Sequence, residues 1–183
     1  MNRIPLREAG RTLQIQVLRH NPMDPASKPR LQTFAVEEAD AMTLFIALNE
    51  IREQQDPSLQ FDFVCRGGIC GSCGMIINGR PLLACRTLTR DLPERITLAP
   101  LPAFELIGDL SVNTGKWMRG MAERLETWIH SEGLECLDVD AMEQVMEPAL
   151  AEEIYELERC IECGCCVAAC GTAQMHELSL IHI

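Results

Sequence analysis

The spacing of cysteines constrains this chain more than any other feature. "CRGGICGSC" followed by "RPLLAC" sets Cys65, Cys70, Cys73 and Cys85 in a C-x4-C-x2-C-x11-C pattern. Near the other end, "RCIECGCCVAAC" sets Cys160, Cys163, Cys166 and Cys170 in a C-x2-C-x2-C-x3-C pattern. Such runs call for a backbone that wraps closely around something held by sulfur. Gly67, Gly68, Gly71 and Gly74 remove the Cβ atoms that would stand in the way of that wrapping.

Ten cysteines could mean disulfides or metal. The opening segment, "MNRIPLREAGRTLQIQVLRH", has no continuous apolar stretch of the kind that directs export. A reducing compartment is therefore expected, where clustered cysteines read as metal ligands. No apolar run approaches a membrane span, so any membrane attachment is expected to come from another subunit. The formal charge is −11 and the isoelectric point about 4.8, which argues against nucleic acid and anionic lipid as partners. With 47% apolar but only 4% aromatic residues, a core would be built on Leu, Ile, Val and Met.

Residues 1 to about 108 read as a mixed α/β unit. Leu13, Ile15 and Val17 alternate as in a half-buried strand, and "RLQTFAVE" is its expected hairpin partner across the proline-rich "NPMDPASKP" loop. "MTLFIALNEIREQ" has helical spacing, with Asp40 or Thr43 available as a cap. "FDFVC" reads as a short strand, "MIINGRPLLA" as a hairpin about Asn78-Gly79, and "ITLAPLP" as a last strand. From about Ser111 onward almost only helix is expected: Trp117, Met121, Leu125 and Trp128 share one face, and "LAEEIYELERC" is a second amphipathic helix.

The x4/x2 pattern with a distant fourth cysteine is the plant-type 2Fe–2S arrangement. Free backbone N–H groups in its loop can bond sulfur and raise the reduction potential. Structural zinc, disulfides and a redox C-x-x-C compete with that reading. The four-glycine loop speaks against zinc, and Cys70 and Cys73 are not an isolated pair. Arg66 and Arg86 follow Cys65 and Cys85; they either offset cluster charge or meet surface carboxylates. In the second run three cysteines can wrap three corners of a cubane, and the fourth ligates another cluster in two-cluster ferredoxins. Two clusters need more thiolates than these four. Cys165 reads as a packed free thiol and Cys136 as a small buried hydrophobe, so the missing ligands are not in this chain. His20, His130, His176 and His182 are scattered and read as surface residues.

"CRGGICGSCGMIINGRPLLACRT", then a helical region, then "RCIECGCCVAAC", resembles the iron–sulfur subunit of fumarate reductase and succinate dehydrogenase. The resemblance runs in order from Leu13 to about Glu177. It implies an α+β chain: an N-terminal β-grasp 2Fe–2S ferredoxin domain, then an all-helical, bacterial-ferredoxin-like domain over 109–183 that is incomplete. Carried over by position, Cys65, Cys70, Cys73 and Cys85 match the 2Fe–2S ligands. Cys160, Cys163 and Cys166 match three of the four 4Fe–4S ligands, and Cys170 one of the three 3Fe–4S ligands. The family supplies the others from a later motif, so this sequence reads as a truncated product with a foreign tail at about 178–183. Gly171 stands where many members have proline, an ending similar to the fumarate reductases with a dihaem membrane anchor and a menaquinone partner.

The resemblance further implies single-electron relay between a membrane quinone and a flavin. The partners would be an FAD-containing flavoprotein and a membrane anchor, a dihaem cytochrome b, on the cytoplasmic face of a bacterial inner membrane. Succinate oxidation in place of fumarate reduction is not separated by these residues, and a zinc-stabilised scaffold is the rival from another class. No catalytic acid or base and no quinone residue is assigned. A plant-type cluster near −400 mV would be a poor stop on a quinone pathway, so the fold must raise it, tenfold in equilibrium constant per 59 mV.

Overall fold

Alternation decides the first strand. In the computed structural model, which describes residues 10–125, 147–157 and 159–175, Leu13, Ile15 and Val17 point inward from β1 (Thr12–Arg19) and are fully buried. β2 (Arg30–Glu37) pairs antiparallel to it, with Ile15 opposite Phe34. On its other edge β1 runs parallel to β5 (Arg95–Ala99), which sets Ile15 beside Ile96 and Val17 beside Leu98. β3 (Gly74–Ile77) pairs antiparallel with β5 and with β4 (Arg80–Leu83), giving the sheet order β2-β1-β5-β3-β4. Asn78 and Gly79 both adopt positive φ, as a two-residue I′ turn requires. This mixed sheet is the β-grasp arrangement expected from the family resemblance.

α1 (Leu44–Glu50) buries Leu44, Phe45, Ala47 and Leu48 in the same core. Thr43 caps it, accepting the Ile46 N–H at 3.4 Å. The helix does not continue as one α-helix; it widens into a π-turn at Ile51–Gln55, closed by the Asp56 N–H on the Ile51 carbonyl. That widening delivers Asp56 to Arg19 and leaves Arg52 stacked over the rings of Phe61 and Phe63.

"FDFVC" is not a strand. The backbone just before it bonds elsewhere: the Gln60 N–H goes to the Asp109 carboxylate and its carbonyl accepts from Leu110. Phe61 and Phe63 instead form a ring cluster with Phe45. A further hairpin pairs β6 (Glu105–Gly108), beyond the expected last strand, with β7 (Ser111–Asn113), which occupies ground where the sequence suggests helix. Asp109 holds its turn in place by accepting the His20 and Gln60 N–H groups.

Arg19 is the buried cation of this unit, 2.6 Å from Asp56 and 3.0 Å from Asp109, with Gln32 and Ser58 also in reach. Arg19→Met leaves two carboxylates without their partner, and a loss of about 3 kcal/mol is expected in urea unfolding. The Ser58 hydroxyl and then Arg19 hold the Asp56 carboxyl well below the ordinary carboxylate range. A depressed folded pKa stabilises above the unfolded value, about 4, and that contribution is lost as the pH falls through the folded value. Asp56→Asn should therefore flatten the acid limb of stability below about pH 4.

The described residues up to Thr114, together with those from Glu162, form one compact unit, and the described residues within Gly115–Ile161 form another. The second unit contains α2 (Gly115–Leu125) and α3 (Pro148–Leu157), the latter opening with proline at its first position. Trp117 is half-buried on α2; the side chains of Met121 and Leu125, and Trp128 altogether, lie outside the described residues. In the first unit, α4 (Cys165–Ala169) packs against β4 and leads into α5 (Gly171–Met175). Cys136, His130, His176, His182 and the tail at 178–183 also fall outside the described residues. No described helix is long and apolar enough to cross a membrane.

Candidate metal centre

The Phe45–Phe61–Phe63 cluster pins the chain just ahead of Cys65. Beyond it, Arg66, Gly68 and Gly71 take positive φ and curl the backbone back on itself. The result is a nest of donors: the N–H groups of Gly67, Ile69 and Cys70 all lie 3.3 Å from Cys65 Sγ. In return the Cys65 N–H donates to Cys70 Sγ at 3.4 Å, and the Ser72 hydroxyl lies 3.1 Å from the same sulfur. Three amide dipoles aimed at one sulfur favour its anion. The N–H of Gly67, then those of Ile69 and Cys70, bring the Cys65 thiol down to about 6. Ser72 and the Cys65 amide lower Cys70 as well.

The other two sulfurs sit in a different environment. Cys73 and Cys85 are buried, Cys73 at the mouth of β3 and Cys85 in the short 3-10 turn Ala84–Arg86 that follows β4. The Ala84 N–H donates to the Cys73 carbonyl, and the start of α1 is sewn to the chain after Cys85 by Leu44 N–H to Thr87 and Thr89 N–H to Met42. Burial first, and then the neighbouring Cys85 thiol, push Cys73 up to about 11. In the metal-free chain at pH 7 an alkylating reagent should thus take Cys65 many-fold faster than Cys73. The Cys65 rate should fall off below about pH 6. Mass mapping of labelled peptides checks both expectations.

The four predicted sulfurs are therefore brought together as two pairs, Cys65 with Cys70 and Cys73 with Cys85. Among the described residues no three His, Cys, Asp or Glu side chains are grouped to hold a single metal ion.

Of the second run, Cys163 to Cys170 belong to the same unit, and Cys160 falls in the other. Gly164, at φ +72°, turns the chain into α4, with the Phe104 ring filling the space a side chain there would need. The Cys163 carbonyl comes so close to β3 that a Cβ on Gly74 would be 3.1 Å from it. The glycine beside the first motif thus makes room for the second, a contact no motif announces. Cys165 is half-buried and pushed up to about 12 by that burial, with Cys163, Cys166 and Cys73 around it. Cys170 ends α4; the Ala173 and Thr172 amides at the start of α5 lower its thiol. Phe104, Leu101 and the Cys163 carbonyl are the structural contributors that spacing alone could not reveal. His20 stands apart from this chemistry, its ring 3.4 Å from the Ser27 hydroxyl.

Comparison with known proteins agrees with this geometry. A family described as "2Fe-2S iron-sulfur cluster binding domain" matches residues 14–119. The fumarate reductase iron-sulfur subunit of Wolinella succinogenes is 59% identical over 92% of this chain and 70% of its own length. That of Haemophilus influenzae is 32% identical over 86% of this chain and 64% of its own. A mitochondrial succinate dehydrogenase [ubiquinone] iron-sulfur subunit of Oryza sativa is 32% identical, over 87% of this chain and 56% of its own. Among solved structures, the Mycobacterium smegmatis Sdh1 complex in the apo form has a chain that superposes with a TM-score of 0.72 at 26% identity. That match covers 92% of this chain and 67% of the other. This chain spans about 56% to 70% of the length of these relatives. By motif, fold and identity together, it belongs to the family of fumarate reductase and succinate dehydrogenase iron–sulfur subunits.

Proposed function

We propose that this chain is the electron-relay part of a quinol:fumarate oxidoreductase, passing single electrons between a membrane quinone and the flavin of a partner subunit. The pairing of sulfurs carries the reading. A two-iron cluster takes two thiolates on each iron, which suits two pairs, whereas one zinc ion wants its ligands about a single point. The donors fit as well: a thiol already held near 6 by three amides is ready to bind metal as thiolate. When bound, the cluster supplies a one-electron redox couple.

The rest is work for the polypeptide. The Gly67, Ile69 and Cys70 amides neutralise part of the charge on Cys65 and so ease the addition of an electron, the upward shift a quinone pathway demands. Cys73 and Cys85 keep one side of the site dry, while Cys65 and Cys70 stay exposed toward the surface where a flavoprotein can approach. The Gly74–Cys163 contact holds the part of the second run from Cys163 to Cys170 beside the first, as a relay with more than one stop requires. Carried over from the family resemblance, Cys160, Cys163 and Cys166 would serve a 4Fe–4S cluster and Cys170 a 3Fe–4S cluster. The partners on this reading are an FAD-containing flavoprotein and a membrane anchor of the dihaem cytochrome b kind, on the cytoplasmic face of a bacterial membrane, with menaquinone as the quinone.

Co-expression with the flavoprotein and anchor tests this. The three should purify together, and fumarate should oxidise the reduced chain only when the flavoprotein is present. A chain that purifies alone, colourless and with zinc, would assign it to the scaffold class instead.

A further inference from the structure

The sequence leaves two roles open for Arg86, and the structure separates them. Arg86 is exposed at the end of the turn that carries Cys85, yet its side chain does not simply run out into water. A Cβ built on Gly68 would lie 2.6 Å from Arg86 Cδ, 2.8 Å from Cγ and 3.3 Å from Nε. The stem is thus laid across the backbone of Gly68, midway along the loop between Cys65 and Cys70. Gly68, at φ +76°, has no side chain to push it off.

Three other arginines of this unit have partners of their own. Arg11 meets Glu38, Arg19 meets Asp56 and Asp109, and Arg52 lies on two phenylalanine rings. Arg86 makes no ion pair or hydrogen bond among the described residues, although carboxylates outnumber basic side chains, 27 to 16. Its stem is held in place by packing on Gly68, and no carboxylate among the described residues pairs with its charge.

We propose that the Arg86 guanidinium, fixed over Gly68, is a positioning charge that raises the electron affinity of the group held by Cys65, Cys70, Cys73 and Cys85. This rests on the cluster reading above. Each electron added makes the site one unit more negative, so a fixed cation stabilises the reduced form more than the oxidised one. Solvent on one side screens the effect. The expected size is a three- to tenfold change in the equilibrium constant for reduction, or roughly 30–60 mV at 59 mV per tenfold.

An EPR-monitored redox titration of the anaerobically purified full chain tests it, with Arg86→Met, Arg86→Gln and Arg86→Lys. Met keeps the apolar stem without the charge, and Gln repeats the neutralisation should Met fail to load iron. Both should titrate roughly 30–60 mV below the parent, and Lys should recover most of the difference. Neutral variants with the parental midpoint would overturn the proposal, most plainly if they also lose the flavoprotein on co-purification, which would assign the charge to a partner's carboxylate. Lys shifting as far as Met would overturn it too, because geometry rather than charge would then be responsible. A parent chain that gives no reduced 2Fe–2S signal would instead remove the cluster reading beneath it.

Discussion

Gly74→Val is expected to lower stability by about 2 kcal/mol, a fall of roughly 4–8 °C in Tm for a chain of this size. The added Cβ alone would stand 3.1 Å from the Cys163 carbonyl, 3.2 Å from Leu101 Cδ1 and 3.4 Å from the Gly71 carbonyl. Two of those neighbours are backbone, which cannot swing aside as a side chain can, and Leu101 is itself buried. The strain has one cheap release: the Cys163–Cys166 segment lifts away from β3. Faster alkylation of Cys163 should therefore accompany the lower Tm, with Cys65 unchanged. Gly120→Ala is the contrasting case. Nothing among the described residues lies within 4 Å of its new Cβ on α2, and a gain of up to about 1 kcal/mol is expected.

Cys73→Ala should abolish iron binding at the first site, with loss of its visible absorption and of its reduced EPR signal. The substitution breaks the buried pair with Cys85 and would leave one iron of the proposed cluster without a full set of thiolates. Cys165→Ala should do none of this. That thiol is half-buried and resists ionisation, so it serves as packing between neighbouring sulfurs. Equal loss of colour in both variants would show that Cys165 holds metal, contrary to the spacing argument.

How much of this could be read beforehand depended on how local each feature is. β1 and β2 were legible because alternation of Leu13, Ile15 and Val17 is a period-two signal that needs no distant partner. The β3–β4 hairpin was legible because Asn78-Gly79 accepts positive φ at both positions. "FDFVC" misled because its composition suits a strand, while the hydrogen bonds just ahead of it run to Asp109 and Leu110, across the molecule. β6 and β7 escaped for a related reason: a short bulged hairpin leaves no clear period, and what anchors it is one carboxylate accepting from His20 and Gln60. The candidate ligands were fully legible as a spacing. Their division into an exposed, amide-held pair and a buried pair was not, since that depends on which strand and turn each sulfur ends up on. Gly74 shows the limit most plainly. Its place beside the first motif suggests a role toward that motif's sulfurs, and its nearest neighbour is the carbonyl of Cys163.

Two cysteine pairs are proposed to hold two irons and pass one electron at a time. EPR of the dithionite-reduced chain, purified without air and assayed for iron and acid-labile sulfide, decides this. A one-electron 2Fe–2S signal that disappears with Cys73→Ala is the predicted result. Iron-free protein that stays EPR-silent on reduction while holding zinc in the same loop would contradict it.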